Sequence, residues 1–235
     1  MKRVILKISG EALSDNSKNI CIQKVNDIAL EIKALYDLGE YSIGIVCGGG
    51  NIWRGRDAIE NGMDRTTADY MGMLGTILNC MALQSSLEKL GLRTRVLTAI
   101  GVPQIAEPYI RRKAVSHLEK GIICIFAGGT GNPYFSTDTN AALRASELGC
   151  DTILMAKNGT DGVYDKDPRK FKDAKKYTKL NHQDVIAKKL AVMDLTAATL
   201  CMENDIDIFV FDMNVKGNIA RAVKDPSIGT LITNK

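Results

Sequence analysis

Ser42-Ile43-Gly44-Ile45-Val46-Cys47-Gly48-Gly49-Gly50-Asn51 is a short apolar run that flows straight into three glycines. A run of that length, bounded by a breaker, reads as a buried strand with a turn at its carboxyl end. The same junction occurs twice more. Val4-Ile5-Leu6-Lys7-Ile8 meets Ser9-Gly10, and Ile122-Ile123-Cys124-Ile125-Phe126 runs into Gly128-Gly129-Thr130-Gly131-Asn132-Pro133. Between these runs the apolar spacing turns helical. Ile22, Val25, Ile28, Ala29, Ile32 and Leu35 mark one helix, stopped by Gly39. Residues 66–90 contain no proline and are apolar nearly all round, which predicts a long, mostly buried helix. Strands are expected at 93–98, 152–156, 206–211 and 230–233, and helices at 111–119, 138–148, 194–203 and 217–224. Such alternation predicts an α/β fold with a mainly parallel, doubly wound sheet. Ligands of such sheets bind beyond the carboxyl ends of the strands, where the glycine junctions lie. Residues 159–181 are polar and lysine-rich, with turn signals at Asp161-Gly162 and Asp167-Pro168; the lysine run 166–179 reads as a solvated, mobile face, and a weak boundary is expected near 155–159.

Composition narrows the function. The chain has 235 residues, 45% hydrophobic and 25% charged, with a net charge of +4, so disorder is not its dominant state. It has no apolar run long enough to cross a membrane. The apolar stretch after Met1 stops at Lys7, well short of a signal-peptide core, so a cytoplasmic location is expected. Six scattered cysteines without a CxxC are expected to be small buried hydrophobes. Two distant histidines, His117 and His182, exclude a histidine-rich metal site, and no GxSxG elbow supports a serine triad. The mild positive charge suits anionic small molecules and is too weak to argue for nucleic acid.

The glycine turns suggest phosphate binding, because glycine lets backbone N–H groups approach an anion closely. The known fingerprints are missing, however: the chain has no GxxxxGK[ST], no GxGxxG and no HRD or DFG set. Lys7, inside an apolar strand before Ser9-Gly10, is either a charge for a transferring phosphoryl group or a strand-end lysine that reaches solvent. Asp69 interrupts the long apolar helix. It either accepts hydrogen bonds from sugar hydroxyls or pairs with Arg65 one turn earlier. Arg54 and Arg56 follow the triple glycine; Arg54 is the better candidate to grip a phosphate, and a plain surface arginine is the alternative. Asp138 and Asp194 each stand at a helix start, as a cap or first-turn charge, or as a group that orients Lys7 or holds a metal. One well-placed lysine, glycine loops and carboxylates suit phosphoryl transfer better than hydride or acyl transfer.

Several stretches resemble the uridylate kinases, a branch of the amino acid kinase family. They are Lys7-Ile8-Ser9-Gly10-Glu11-Ala12-Leu13, Gly48-Gly49-Gly50-Asn51-Ile52-Trp53-Arg54-Gly55 and Asp69-Tyr70-Met71-Gly72-Met73-Leu74. Gly129-Thr130-Gly131-Asn132-Pro133-Tyr134-Phe135-Ser136-Thr137-Asp138, Asp161-Gly162-Val163-Tyr164-Asp165-Lys166-Asp167-Pro168 and Val192-Met193-Asp194-Leu195 complete the set, with Gly229-Thr230-Leu231-Ile232 near the end.

The resemblance implies one αβα sandwich domain over 1–235, with a UMP-binding lobe over about 1–155 and an ATP-binding lobe over 156–235. It implies transfer of the ATP γ-phosphoryl group to UMP, with Mg2+, in pyrimidine nucleotide biosynthesis. Catalysis would fall on Lys7, Asp138, Asp194 and Arg54. ATP would be held by Lys7, Ser9, Gly10, Gly50, Arg54, Asn158, Tyr164 and Asp167. UMP would be held by Gly49, Asp69, Thr130, Gly131, Asn132, Pro133, Tyr134, Phe135, Ser136 and Thr137. No direct protein ligand to the metal is assigned. A homohexamer and inhibition by UTP are further expectations. The alternatives are a non-catalytic nucleotide-binding subunit, or a carboxylate or carbamate kinase on the same fold. One stretch departs from the pattern. Many bacterial members carry a glycine-containing loop linked to GTP activation after the Gly-Glu-Ala-Leu motif. Here it is Ser14-Asp15-Asn16-Ser17-Lys18-Asn19, so weak or absent GTP activation is expected.

Overall fold

The computed structural model describes residues 1–234. In chain order the elements are β1 (Lys2–Ile8), α1 (Ile22–Tyr36), β2 (Tyr41–Cys47), α2 (Gly55–Glu60), α3 (Arg65–Lys89), β3 (Thr94–Thr98), β4 (Glu107–Pro108), α4 (Arg111–Glu119), β5 (Ile123–Ala127) and α5 (Thr137–Leu148). They continue with β6 (Thr152–Lys157), β7 (Val163–Tyr164), β8 (Lys176–Tyr177), β9 (Lys179–Leu180), α6 (His182–Ala187), α7 (Leu195–Glu203), β10 (Asp207–Asp212), α8 (Asn218–Arg221) and β11 (Gly229–Ile232). A short 3₁₀ turn covers Gly10–Leu13.

Among the described residues one nine-stranded sheet runs β4-β3-β5-β2-β1-β6-β10-β11-β9, with every neighbouring pair parallel except β10 and β11. β1 lies between β2 and β6, with Lys7 opposite Val46 on one side and Met155 on the other. The chain builds outward on the β2 side and later crosses β1 to lay down β6. That reversal makes the carboxyl end of β1 the crevice of the sheet.

Side chains alternate faces along a strand, and the alternation sorts the core into two layers. Val4, Leu6 and Ile8 pack with Val25, Ile32, Ile77, Leu83 and Leu87 from α1 and α3. Ile5 and Val46 pack on the other face with Ala141, Ala145 and Ala197 from α5 and α7. The observed architecture is therefore the expected three-layer αβα sandwich. No helix among the described residues is long and apolar enough to cross a membrane.

Several expectations need correction. The long helix α3 buries Met73, Ile77, Cys80, Leu83 and Leu87, yet Leu74 and Leu78 are half exposed, at 51% and 49%. A helix laid on one face of a sheet buries one stripe, and Tyr70, Leu74 and Leu78 fall at i, i+4 and i+8 on the outer side. The helix expected over 217–224 shortens to Asn218–Arg221. Pro226 disfavours helical backbone at Asp225, which is extended. The lysine-rich segment holds an antiparallel ribbon of β7 and β8, and β9 joins the sheet edge beside β11. Five cysteines are buried as expected and Cys21 is partly exposed; all six are free. Burial pushes the thiols of Cys124, Cys150 and Cys201 up to about 12, which keeps them protonated and inert.

His182 opens α6 fully buried, and its Nε2 hydrogen-bonds nothing. Burial lowers its pKa below the usual 6.5, against an opposing hydrogen bond to the Ile206 backbone. Below about pH 6.5 the unfolded chain takes up a proton that the fold resists. Its contribution to stability is thus present above that pH and is lost as pH falls toward the depressed folded value. Melting temperatures compared at pH 7.5 and 5.5 should drop further for the native chain than for His182→Asn; equal drops would show that His182 is not responsible.

Candidate active site

Lys7 shares the Ile5 face of β1 by strand parity, so its side chain runs toward α5. There Nζ lies 2.8 Å from Asp138 Oδ1, with both side chains largely buried. Ser136, not Asp138, caps α5 by accepting from Thr139 N at 3.0 Å, and Asp138 sits in the first turn. Asp194 caps α7, accepting from Ala197 N at 3.0 Å. It also accepts from the Ser136 hydroxyl and from Thr139 Oγ1 at 3.0 Å, which fastens the starts of α5 and α7 together. Lys7, Asp138 and Asp194 are therefore brought together.

The glycine turns are held from behind by polar residues of α3. Asn79 Nδ2 donates to Gly48 O and to Asn51 Oδ1, each at 2.7 Å. Asn51 Nδ2 donates to Asn79 Oδ1 at 3.0 Å and to Asn19 O at 2.6 Å. Thr76 Oγ1 accepts from Gly128 N at 2.8 Å, so the same helix holds the turn after β5. Close approach makes two of the glycines obligatory. A Cβ on Gly10 would stand 2.7 Å from Gly48 O, and one on Gly49 would stand 2.6 Å from Gly72 O of α3. Gly50 has open space around it. Arg54 is mostly exposed and ion-pairs with Glu11 of the Gly10–Leu13 turn. Ser9 precedes that turn with extended backbone and makes no side-chain cap. Trp53 folds back over the loop, its N–H donating to Gly49 O at 3.0 Å, while its indole N–H is buried and bonds nothing in the chain.

The loop 130–137 runs from the β5 turn into α5. Thr130 Oγ1 accepts from Asn132 N at 3.2 Å, Gly131 has φ 82, and Tyr134 and Phe135 are exposed at 63% and 51%. Pro133 precedes Tyr134, and Thr137 begins α5. Asp69, from α3, joins this loop: its Oδ2 accepts from Tyr134 N at 2.8 Å and lies 3.5 Å from Arg65 Nε. The ion pair with Arg65 is thus present, and the carboxylate also faces the loop.

Tyr164 and Asp167 line one cleft, together with Lys188 and Leu190. The hydrogen bond to Asp161, 2.6 Å, pushes the Tyr164 phenol up to about 12, and Arg169 holds Asp167 below the usual carboxylate range. Asn158 stands apart, at a second cleft with Met213 and Lys216, where it accepts from Asn214 Nδ2 at 2.8 Å. No group of three or more His, Cys, Asp or Glu among the described residues could hold a metal alone. Asp138 and Asp194 are engaged by Lys7 and by hydroxyls. This donor set fits Mg2+ that keeps mainly phosphate and water ligands, with at most one carboxylate.

Sequence reasoning missed Lys157. It ends β6 on the Lys7 face, is partly buried, and donates from Nζ to Val192 O at 2.5 Å. Burial lowers its pKa, Lys7 lowers it further, and Asp138 opposes, so two amines and one carboxylate share the end of the sheet. The signal was available: like Lys7, it is a lysine at the carboxyl end of an apolar run. Thr76, Asn79 and Arg144 were also missed.

The amino acid kinase family model matches residues 2–212. UMP kinase from Bacillus anthracis superposes with a TM-score of 0.95 at 43% identity, over 100% of this chain and 96% of that one. UMP kinase from Ureaplasma parvum gives 0.94 at 41% over 99% of both chains. Uridylate kinase from Archaeoglobus fulgidus gives 0.74 at 30%, over 99% of this chain and 100% of that one. With nearly the whole sandwich matched, and the lysine, glycine turns and capped helices gathered at one end of the sheet, the chain belongs to the amino acid kinase family.

Proposed function

We propose that this protein is a UMP kinase, transferring the γ-phosphoryl group of ATP to UMP to give ADP and UDP. One observation carries the acceptor assignment. Asp69 is hydrogen-bonded to the backbone of loop 130–137, so a carboxylate with spare lone pairs stands beside the loop that follows a glycine turn. Such a group suits the two hydroxyls of a ribose. Likeness to UMP kinases over nearly the full chain supports the same reading.

In this reading UMP lies along Gly49, Asp69 and residues 130–137. ATP phosphates meet Lys7, Ser9, Gly10, Gly50 and Arg54, and its nucleoside end meets Asn158, Tyr164 and Asp167. A UMP phosphate oxygen attacks the γ-phosphorus in line, and ADP leaves. The transition state spreads negative charge over the equatorial oxygens, so fixed positive charge accelerates it. Lys7 supplies that charge, Asp138 aims it, and Lys157 adds a second amine. Asp194 holds the starts of α5 and α7 in register. Mg2+ arriving with ATP would neutralise phosphate charge, and Asp138 or Asp194 would be the carboxylate to assist it.

The lobes would divide near residue 155, UMP on the first and ATP on the second. The outward stripe Tyr70, Leu74 and Leu78 supports burial against another copy, in keeping with a homohexamer. UTP would inhibit from the UMP site. The loop 14–19 is closed by Asp15, which accepts from Ser17 N, Ser17 Oγ and Lys18 N at 2.8 Å, and this pinned turn supports weak GTP activation. A cytoplasmic role in pyrimidine nucleotide supply completes the proposal.

A coupled assay offering UMP, CMP, dUMP and acetylglutamate with ATP tests it. UMP should be turned over, and dUMP should lose about 1.5–3 kcal/mol in kcat/KM, on the order of ten- to hundredfold, because a hydrogen bond to a charged group is missing. Equal efficiency on UMP and dUMP would remove Asp69 from ribose recognition. Turnover of acetylglutamate alone would move the acceptor to a carboxylate.

A further inference from the structure

Arg65 touches both parts of the acceptor site. It opens α3, and its Nε lies 3.5 Å from Asp69 Oδ2, one turn further on. Its guanidinium carbon sits 4.6 Å from the centre of the Tyr134 ring. Tyr134 closes the circuit by donating its backbone N–H to the same Oδ2 at 2.8 Å.

Two features set this contact apart from an ordinary surface ion pair. Tyr134 is held at φ 74, a left-handed conformation that an L residue rarely adopts, and the residue is 63% exposed. Core packing therefore does not secure the ring. Arg65 also stands at the first position of a helix, directly after the capping Asp64, and a cation there opposes the helix dipole. Its place is poor for the helix and good for the loop.

We propose that Arg65 is the positioning residue of the acceptor site. By stacking on Tyr134 and pairing with Asp69 Oδ2, it keeps the loop in its left-handed turn and leaves Asp69 Oδ1 to face the acceptor. Arginine, unlike lysine, offers a planar stack and a directed N–H donor together. The kinetic part rests on the UMP reading; the loop-holding part does not.

The experiment compares the full-length native chain with Arg65→Ala and Arg65→Lys, each checked for an unchanged far-UV spectrum. Arg65→Gln serves if the alanine variant does not fold. In Arg65→Ala the KM for UMP should rise about tenfold, while kcat and the KM for ATP stay within about twofold. Arg65→Lys should recover part of that loss. Hydrogen exchange at the Tyr134 amide, measured without substrate, should quicken in Arg65→Ala. An unchanged KM for UMP, or equal losses for ATP and UMP, would overturn the positioning role, as would unchanged exchange at Tyr134. If the native chain shows no UMP turnover, the UMP reading falls and the exchange result alone decides whether Arg65 holds the loop.

Discussion

Lys7→Ala should fold and lose between two and three orders of magnitude in turnover. Lys7 meets Asp138 at 2.8 Å at the end of the central strand, in a place only partly open to water. A charge fixed before the reaction costs no reorganisation as charge moves to the transferring group. Deleting one such group typically costs about 3–4 kcal/mol of transition-state stabilisation. The fold should survive, because the β1 core positions Ile5, Leu6 and Ile8 are untouched. The measurement is kcat with saturating ATP and UMP, beside a melting curve that confirms the fold. Near-native turnover would show that Lys7 is a strand-end lysine with no part in the chemistry.

Arg144→Ala should lose about 3 kcal/mol of folding stability. Arg144 is 4% exposed on α5, and its Nη1 donates to Glu147 Oε2 at 2.6 Å. Its guanidinium lies 3.7 Å over the Tyr109 ring, and Nη2 reaches Gly129 O at 3.4 Å. Tyr109 donates its hydroxyl to the same Glu147 oxygen at 2.6 Å, and burial, with Glu147 beside it, pushes the phenol well up. Removing the arginine leaves Glu147 facing a half-buried phenol without its cation. Breaking a buried pair costs about 3–5 kcal/mol, and the low end applies because Glu147 still reaches water. Urea denaturation of the two proteins measures the difference. A loss under about 1 kcal/mol would mean that the cluster relaxes around the missing side chain.

Much of the fold was readable because the apolar pattern carried it. The helix expected over 111–119 is α4 residue for residue, and β1, β2 and β5 end at the glycines that marked them. Two short helices were not. α2 lacks a side-chain cap and buries no residue, so it left no periodic trace. α6 did carry a signal, Asn181 capping Asp184 N, but six residues are too few to show a stripe. The site was partly readable. Lys7 and Asp69 stood out as charges in apolar runs, whereas the Lys7–Asp138 pair joins residues that only the fold makes neighbours. Thr76 and Asn79 were hidden because a polar residue in an apolar helix reads as a solvent-facing break, yet both are buried supports of the glycine turns. The outward leucines of α3 misled for the opposite reason, since apolar residues on every side suggested burial on every side.

Trp53 is the only tryptophan in the chain. It sits beside Gly50 and Arg54 in the loop between the triple glycine and α2, its indole N–H sealed from water. Its emission therefore comes from one place, and that place borders the loop assigned to phosphate. The protein thus carries a built-in optical reporter: stopped-flow fluorescence can time the rearrangement of this loop against the rate of product formation, without a label or an added residue.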